Sequence, residues 1–302
     1  MTMKNLIIII ALVFASKTFA QQEPQFTQYF DNTLFQNPAY AGSNKMLSFN
    51  TMHREQWLGF EGRPSTTSFT LHSPLSYESV GLGISAIRDV IGPTTQHMVY
   101  GDFSYSLKIN KQSSLAFGLK GGFNLINTKT AGLSTTDVVD LALQENTLNR
   151  INPNFGFGMY YHAERFYLGI SSPKLIESSI DGSPTNLEKR HFYVHTGAVF
   201  NMGSQWKIRP TAQLKSTTGA PLSIDLSNAF IYKDRMFMGA TYRHQAAIGV
   251  FVQYQITQQF RFGVASDFAT TAIRNYNQGT FEAMISYDFN FIKGGIRSPR
   301  YF

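Results

Sequence analysis

The chain contains no cysteine, which removes disulfide frameworks, thiol redox chemistry, zinc-thiolate sites and a lipid-modified cysteine at the start of a mature chain. Charge is also scarce: 15% of the 302 residues are Asp, Glu, Lys or Arg, where soluble chains average about 25%. Beyond residue 20 no stretch approaches the ~18 continuous apolar residues of a membrane-spanning helix. Phosphate-cradling loops, zinc-protease helices and calcium-loop signatures are missing. Gly156-Phe157-Gly158 is a strand-like alternation with no dinucleotide fingerprint after it. His191 and His195 share a strand face with Tyr193, but no third ligand stands at metal-binding spacing. No catalytic residue, metal or cofactor is therefore assigned, and the chain does not read as an enzyme.

What is present begins with a leader. Lys4 precedes the apolar run Leu6 to Ala15, and small residues lead to Ala20, so residues 1–20 read as a secretory signal peptide. Cleavage after Ala20 takes Lys4 and Lys17 with it, leaving 24 basic against 19 acidic residues. That net +5 is too weak to imply nucleic acid.

From Met46 onward most of the chain has a period of two, the spacing at which side chains point to opposite faces of a strand. Phe281, Ala283, Ile285, Tyr287, Phe289 and Phe291 form one apolar face, while Glu282, Ser286, Asp288 and Asn290 lie between them. About 14 such segments can be drawn, near 46–56, 64–73, 79–88, 95–109, 113–125, 153–162, 165–172, 190–202, 205–215, 220–231, 235–244, 246–257, 259–269 and 278–291. Their length of about 10 residues suits a tilted membrane-spanning strand. Tight polar turns, as at Asn110 to Gln112 and Tyr232 to Asp234, alternate with longer links such as Leu58 to Arg63, Asp89 to Thr94, Asn127 to Asn152 and Pro173 to Lys189. Short periplasmic turns and long outside loops are the habit of outer-membrane barrels.

A soluble β-sandwich also alternates apolar and polar residues. Against it stands the second face of these strands, where Lys120, Lys207, Arg209, Arg235, Arg243 and Arg261 occur beside Asp225, Asp267, Glu282 and Asp288. A sandwich core would bury those charges unpaired, whereas a wet or ion-paired lumen accepts them. The reading is therefore all-β: a single-chain transmembrane β-barrel of about 14 antiparallel strands over 46–291, with long extracellular loops, in the outer membrane. Residues 21–45 are polar and aromatic without period, and are expected as a periplasmic segment ahead of the first strand. Residues 292–302 are expected as a periplasmic C-terminal tail, and 136–146 as a short helix capped by Thr136 in the longest loop.

The most specific strings are Gln25, Phe26, Gln28 and Tyr29, then Asn37, Pro38, Ala39, Tyr40, Ala41 and Gly42, then Arg54, Gln56, Trp57, Gly59, Gly62 and Pro64. In these the chain resembles the PorP/SprF family of outer-membrane proteins of the Bacteroidota type IX secretion and gliding-motility machinery. The resemblance runs over essentially the whole mature chain and implies a 14-stranded barrel. It further implies a role in exporting or holding surface adhesins that carry a type B C-terminal domain, or, in one subgroup, a core part linked to periplasmic secretion components. The expected partners are thus a secreted surface protein, periplasmic components and outer-membrane lipid. Read physically, Asn37-Pro38 and Ala41-Gly42 are turn formers at the entry to the first strand, and Arg54, Trp57 and Gly62 mark the outer end of the first hairpin. A diffusion porin favouring anions, suggested by the inner Lys and Arg residues, is the other class of reading, and a barrel enzyme the third.

Overall fold

The computed structural model describes residues 23–75, 79–129, 147–180 and 187–289. The leader, the expected helix at 136–146 and the tail 292–302 lie outside them. Fourteen strands cross the sheet: β1 Leu47–Glu55, β2 Ser65–Pro74, β3 Val80–Ile91, β4 Thr94–Lys108, β5 Ser113–Lys129, β6 Thr147–Ala163 and β7 Phe166–Ser172 form the first half. The second half is β8 His191–Ala198, resumed as Phe200–Asn201, then β9 Trp206–Thr217, β10 Ser223–Tyr232, β11 Met236–Arg243, β12 Ala247–Gln255, β13 Phe260–Ala269 and β14 Thr280–Phe289. Each strand pairs antiparallel with its sequence neighbours, and β1 pairs with β14, so the sheet closes into a barrel.

Burial is the reverse of a soluble sheet. Outward positions carry Leu82, Ile84, Phe103, Phe157, Ile170, Val250, Val264 and Phe281, and Leu119 among them is 62% exposed. The alternate positions carry Asp102, Lys120, Arg209, Gln213, Asp225, Arg243, Asp267 and Glu282, all buried. Apolar residues outside and polar residues inside are stable only where the outer solvent is hydrocarbon, which excludes the sandwich. No described helix is long and apolar enough to cross a membrane; the strands do so.

Connections alternate as the sequence implies, with two exceptions. One end carries the turns 109–112, 164–165 and 233–235, and the other carries 56–64, 173–190 and 270–279. At that second end, however, the link expected over Asp89 to Thr94 is only Gly92-Pro93, and 244–246 is equally tight. The strands β5 and β6 run to Lys129 and back from Thr147, well past their apolar stretches, because Lys129 pairs with Thr147 in register. Polar alternation there hides the strand from a hydrophobic pattern.

Residues 23–42 overturn the expectation that the segment before the first strand lies outside the barrel, while 43–45 emerge at the short-turn end. The former line the lumen as three single turns, Tyr29–Asp31, Thr33–Gln36 and Pro38–Tyr40. The barrel's core is built on them: Phe26 and Phe35 pack with Met52, Ile87, Met98, Tyr100 and Met284. Tyr29 and Phe30 pack with Ala229, Phe251 and Ala265, and Ala39 packs with Ala116, Tyr160 and Tyr167. Glu23 touches Lys174 and Tyr193 at the long-link end, while Gly42 approaches Pro74 at the short-turn end, where β1 begins. The segment therefore traverses the lumen from one mouth to the other.

Candidate functional site

The site is the lumen itself, a socket whose two halves hold the segment by different chemistry. On the side of β9 to β14 and β1 the grip is ionic. Arg54 of β1 reaches Asp267 at 2.6 Å and Glu282 at 3.2 Å, and its Nη1 donates to Thr27 Oγ1 at 2.9 Å. Glu282 in turn accepts from the backbone N–H groups of Thr27 and Gln28, at 2.8 and 3.1 Å. Arg243 pairs with Asp225 at 3.0 Å and donates to the Phe26 carbonyl at 3.1 Å. Lower down, Asp31 accepts from Arg261 at 2.8 Å and from Gln253 at 2.6 Å, and the Arg209 guanidinium lies 4.3 Å from the Phe30 ring centre. Arg54, Arg243, Arg261 and the carboxylates survive burial here because each has a counter-ion and hydrogen bonds, whereas the buried Lys215 ammonium of β9 has no hydrogen-bond partner among the described residues.

On the side of β3 to β6 the grip is steric. A β-carbon added to Gly118 would overlap the backbone of Ala39, one on Gly158 the Asn37 side chain, and one on Gly81 the Ala41 carbonyl. Glycine at these inward positions lets the segment's backbone lie against the wall. Asn37 shows why its type is needed: Oδ1 accepts from Ala39 N at 3.0 Å, capping the Pro38–Tyr40 turn, while Nδ2 donates to the Met159 carbonyl at 2.9 Å. Lys120 pairs with Asp102 at 3.0 Å and donates to the Leu34 carbonyl at 3.3 Å.

A third contact ties the segment to the 173–190 link. Lys174 is buried between Glu23, at 3.1 Å, and Glu188, and Tyr193 donates to Glu23 at 2.9 Å. Burial raises the Glu23 carboxyl, but the Lys174 ammonium and then His191 outweigh it and hold it down at about 2. Burial alone would lower Lys174, yet the two carboxylates push it above the ordinary lysine range.

The string Gln25 to Gly42 thus lies in the lumen, with Gln28 and Asn37 fully buried and Gly42 at φ 71°. Arg54 stands near the outer end of β1, next to the 56–64 link, and its side chain faces the lumen, 3% exposed, since its position alternates inward with Met52. Gln56, Trp57, Gly59, Gly62 and Pro64 do form the 56–64 link. Gln56 N donates to the Pro64 carbonyl, Leu58 pairs with 278–279 through backbone bonds, and Gly62 accepts from Gly92. Trp57, Gly59 and Gly62 all take positive φ there.

Of the charges read as luminal, Lys120, Arg209, Arg243, Asp225, Asp267 and Glu282 are buried inside, and Arg261 reaches in to Asp31. Lys207 pairs with Asp234 at the short-turn rim, and Asp288 lines a small recess of about 50 Å³ there with Asp31, Arg209 and Arg261. Arg235 is not luminal. It stands exposed in the 233–235 turn, where Lys233 and Asp234 take positive φ and break the alternation. Glu23, Asp31, Lys174 and Glu188 were not singled out from sequence. The first two are the only acidic residues of the aperiodic segment, which was the available signal. His195 approaches Asn37 Nδ2 at 3.4 Å and His191 faces Glu23; among the described residues no three His, Asp or Glu side chains form a metal site.

The sequence profile described as type IX secretion system membrane protein PorP/SprF matches residues 18–287. The chain belongs to the PorP/SprF family. No curated protein matches it in sequence. Among solved structures it is similar to the CymD monoaromatic hydrocarbon channel, at 11% identity and TM-score 0.54, covering 92% of this chain and 94% of that one. It is also similar to the toluene transporter TbuX of Ralstonia pickettii, at 10% identity and TM-score 0.51, covering 87% and 94%. At such identities the likeness concerns the barrel fold alone. It agrees with an outer-membrane location for this PorP/SprF protein of the type IX secretion system.

Proposed function

We propose that this PorP/SprF barrel is a docking partner rather than a conduit. It binds the C-terminal domain of secreted surface proteins, type B adhesins, at its long-link mouth and so supports their export or attachment and gliding motility. The observation that carries the reading is the filled lumen: residues 23–41 occupy it, bound by ion pairs on one side and by backbone contact on the other. A porin needs an open path, and a secreted chain passing through would have to displace that core. The long links at one mouth offer the surface for a partner.

Deleting the gene should remove one or a few large proteins from the cell surface; an unchanged surface proteome sinks the reading. The purified barrel should be silent in planar bilayers. A steady conductance would return the porin. One observation favours a second reading, a core component linked to periplasmic secretion proteins: the charged recess at the short-turn mouth. Recovery of periplasmic components, with no adhesin, on the gently extracted barrel would select it.

A further inference from the structure

The outward face of β3 to β6 has a gap in its apolar belt. The register row Ile84, Gly101, Gly121, Phe155 places two outward glycines side by side between larger residues. They floor an open groove of about 670 Å³, walled by Leu71, Leu82, Phe103 and Leu119 as well as Ile84 and Phe155. Four residues further along the same strands, about 13 Å towards the long-link rim, Arg88 and His97 are directly cross-strand paired and both point outward. Thr67 and His53 continue that row onto β2 and β1. Arg88 and His97 are exposed and make no ion pair among the described residues, whereas nearby Glu55 is held by Arg63 and His53.

A bare Arg on the lipid-facing side of a barrel is costly at mid-membrane and tolerated near an interface. A phosphate placed there supplies the missing counter-charge through charge-assisted hydrogen bonds. We infer that β3 to β6 form a specific site for a phospholipid of net negative charge, with its headgroup phosphate on Arg88 and His97, where a zwitterionic headgroup would bring a cation of its own, and an acyl chain in the groove over Gly101 and Gly121. Spacing and chemistry agree, since a lipid's charged group and its chains are separated along the same direction.

The test titrates delipidated barrel in detergent with phosphatidylglycerol and with phosphatidylcholine of identical chains, counting bound lipid by native mass spectrometry. Wild-type protein should retain phosphatidylglycerol several-fold better. Arg88→Gln with His97→Gln should abolish the preference. Gly101→Leu with Gly121→Leu should lower occupancy by both lipids. A β-carbon at either glycine meets no atom closer than 3.6 Å, so this variant should fold, which heat-modifiable migration on gels will report. Excess inorganic phosphate should not displace the lipid. Equal retention of both lipids by wild type, a preference that survives the Arg88 and His97 changes, or displacement by phosphate alone would each overturn the site.

Discussion

The two halves of the socket hold one short segment by opposite means. The wall from β9 to β14 with β1 presents charge, and the segment answers with backbone amides, Thr27 and Asp31. The wall from β3 to β6 presents glycine, and the segment answers with its own backbone. An ionic grip is directional but needs every partner in place, because a buried charge left alone is expensive. A glycine grip needs only the absence of a side chain, and fails when one is added. Damage to the two halves should therefore differ in kind.

The largest effect is expected on the ionic side. Arg54→Met leaves Asp267 and Glu282 facing each other without their shared cation, at a cost of about 3–5 kcal/mol. Thermal unfolding in detergent should show it, and the companion change Glu282→Gln should recover part of the loss. An unchanged melting point would mean that the pairs contribute nothing. Next comes the steric side: Gly118→Val or Gly158→Val should cost about 1–3 kcal/mol or more, with no recovery from changes in charge. The same glycine variants are expected to raise conductance from zero if the segment is expelled; silence with a lowered melting point would mean the wall yields instead.

The contact with the 173–190 link gives a smaller, pH-dependent effect. Glu23 titrates lower folded than unfolded, so its contribution is present above its ordinary value near 4.5 and is lost as pH falls towards about 2. Amide exchange at 173–180 should quicken in that window and stay flat in Glu23→Gln. The smallest effect is reserved for a rim pair: Arg63→Ala removes an exposed partner of Glu55 and should change stability by at most about 1 kcal/mol.

The comparison also explains what the sequence discloses. The strands were legible because one face meets hydrocarbon, so their period is written in Leu, Ile and Phe. The upper parts of β5 and β6 were not, since Asn127, Thr128 and Lys129 pair above the apolar belt. Charges on the second face were read as a wet or ion-paired lumen, and most are buried pairs there. What could not be read was their common partner, because the binding of residues 23–42 depends on contacts more than 200 positions away, such as Thr27 with Glu282. The alternation Gly156-Phe157-Gly158 looked like an ordinary strand feature. Its reason, the approach of Asn37 to Gly158, exists only once the barrel has closed.

One consequence concerns the seam. Strands β1 and β14 are the two ends of the ribbon, and Arg54 stands opposite Glu282 where they join. Counting Asp267, that junction holds two carboxylates between Arg54 and Arg243, whose guanidinium lies 3.7 Å from Asp267, and the amides and hydroxyl of residues 27 and 28 complete their hydrogen bonds. The backbone ladder shuts the ring, but the charged clasp across the seam is finished by the segment inside it, so the thread takes part in fastening the band that surrounds it.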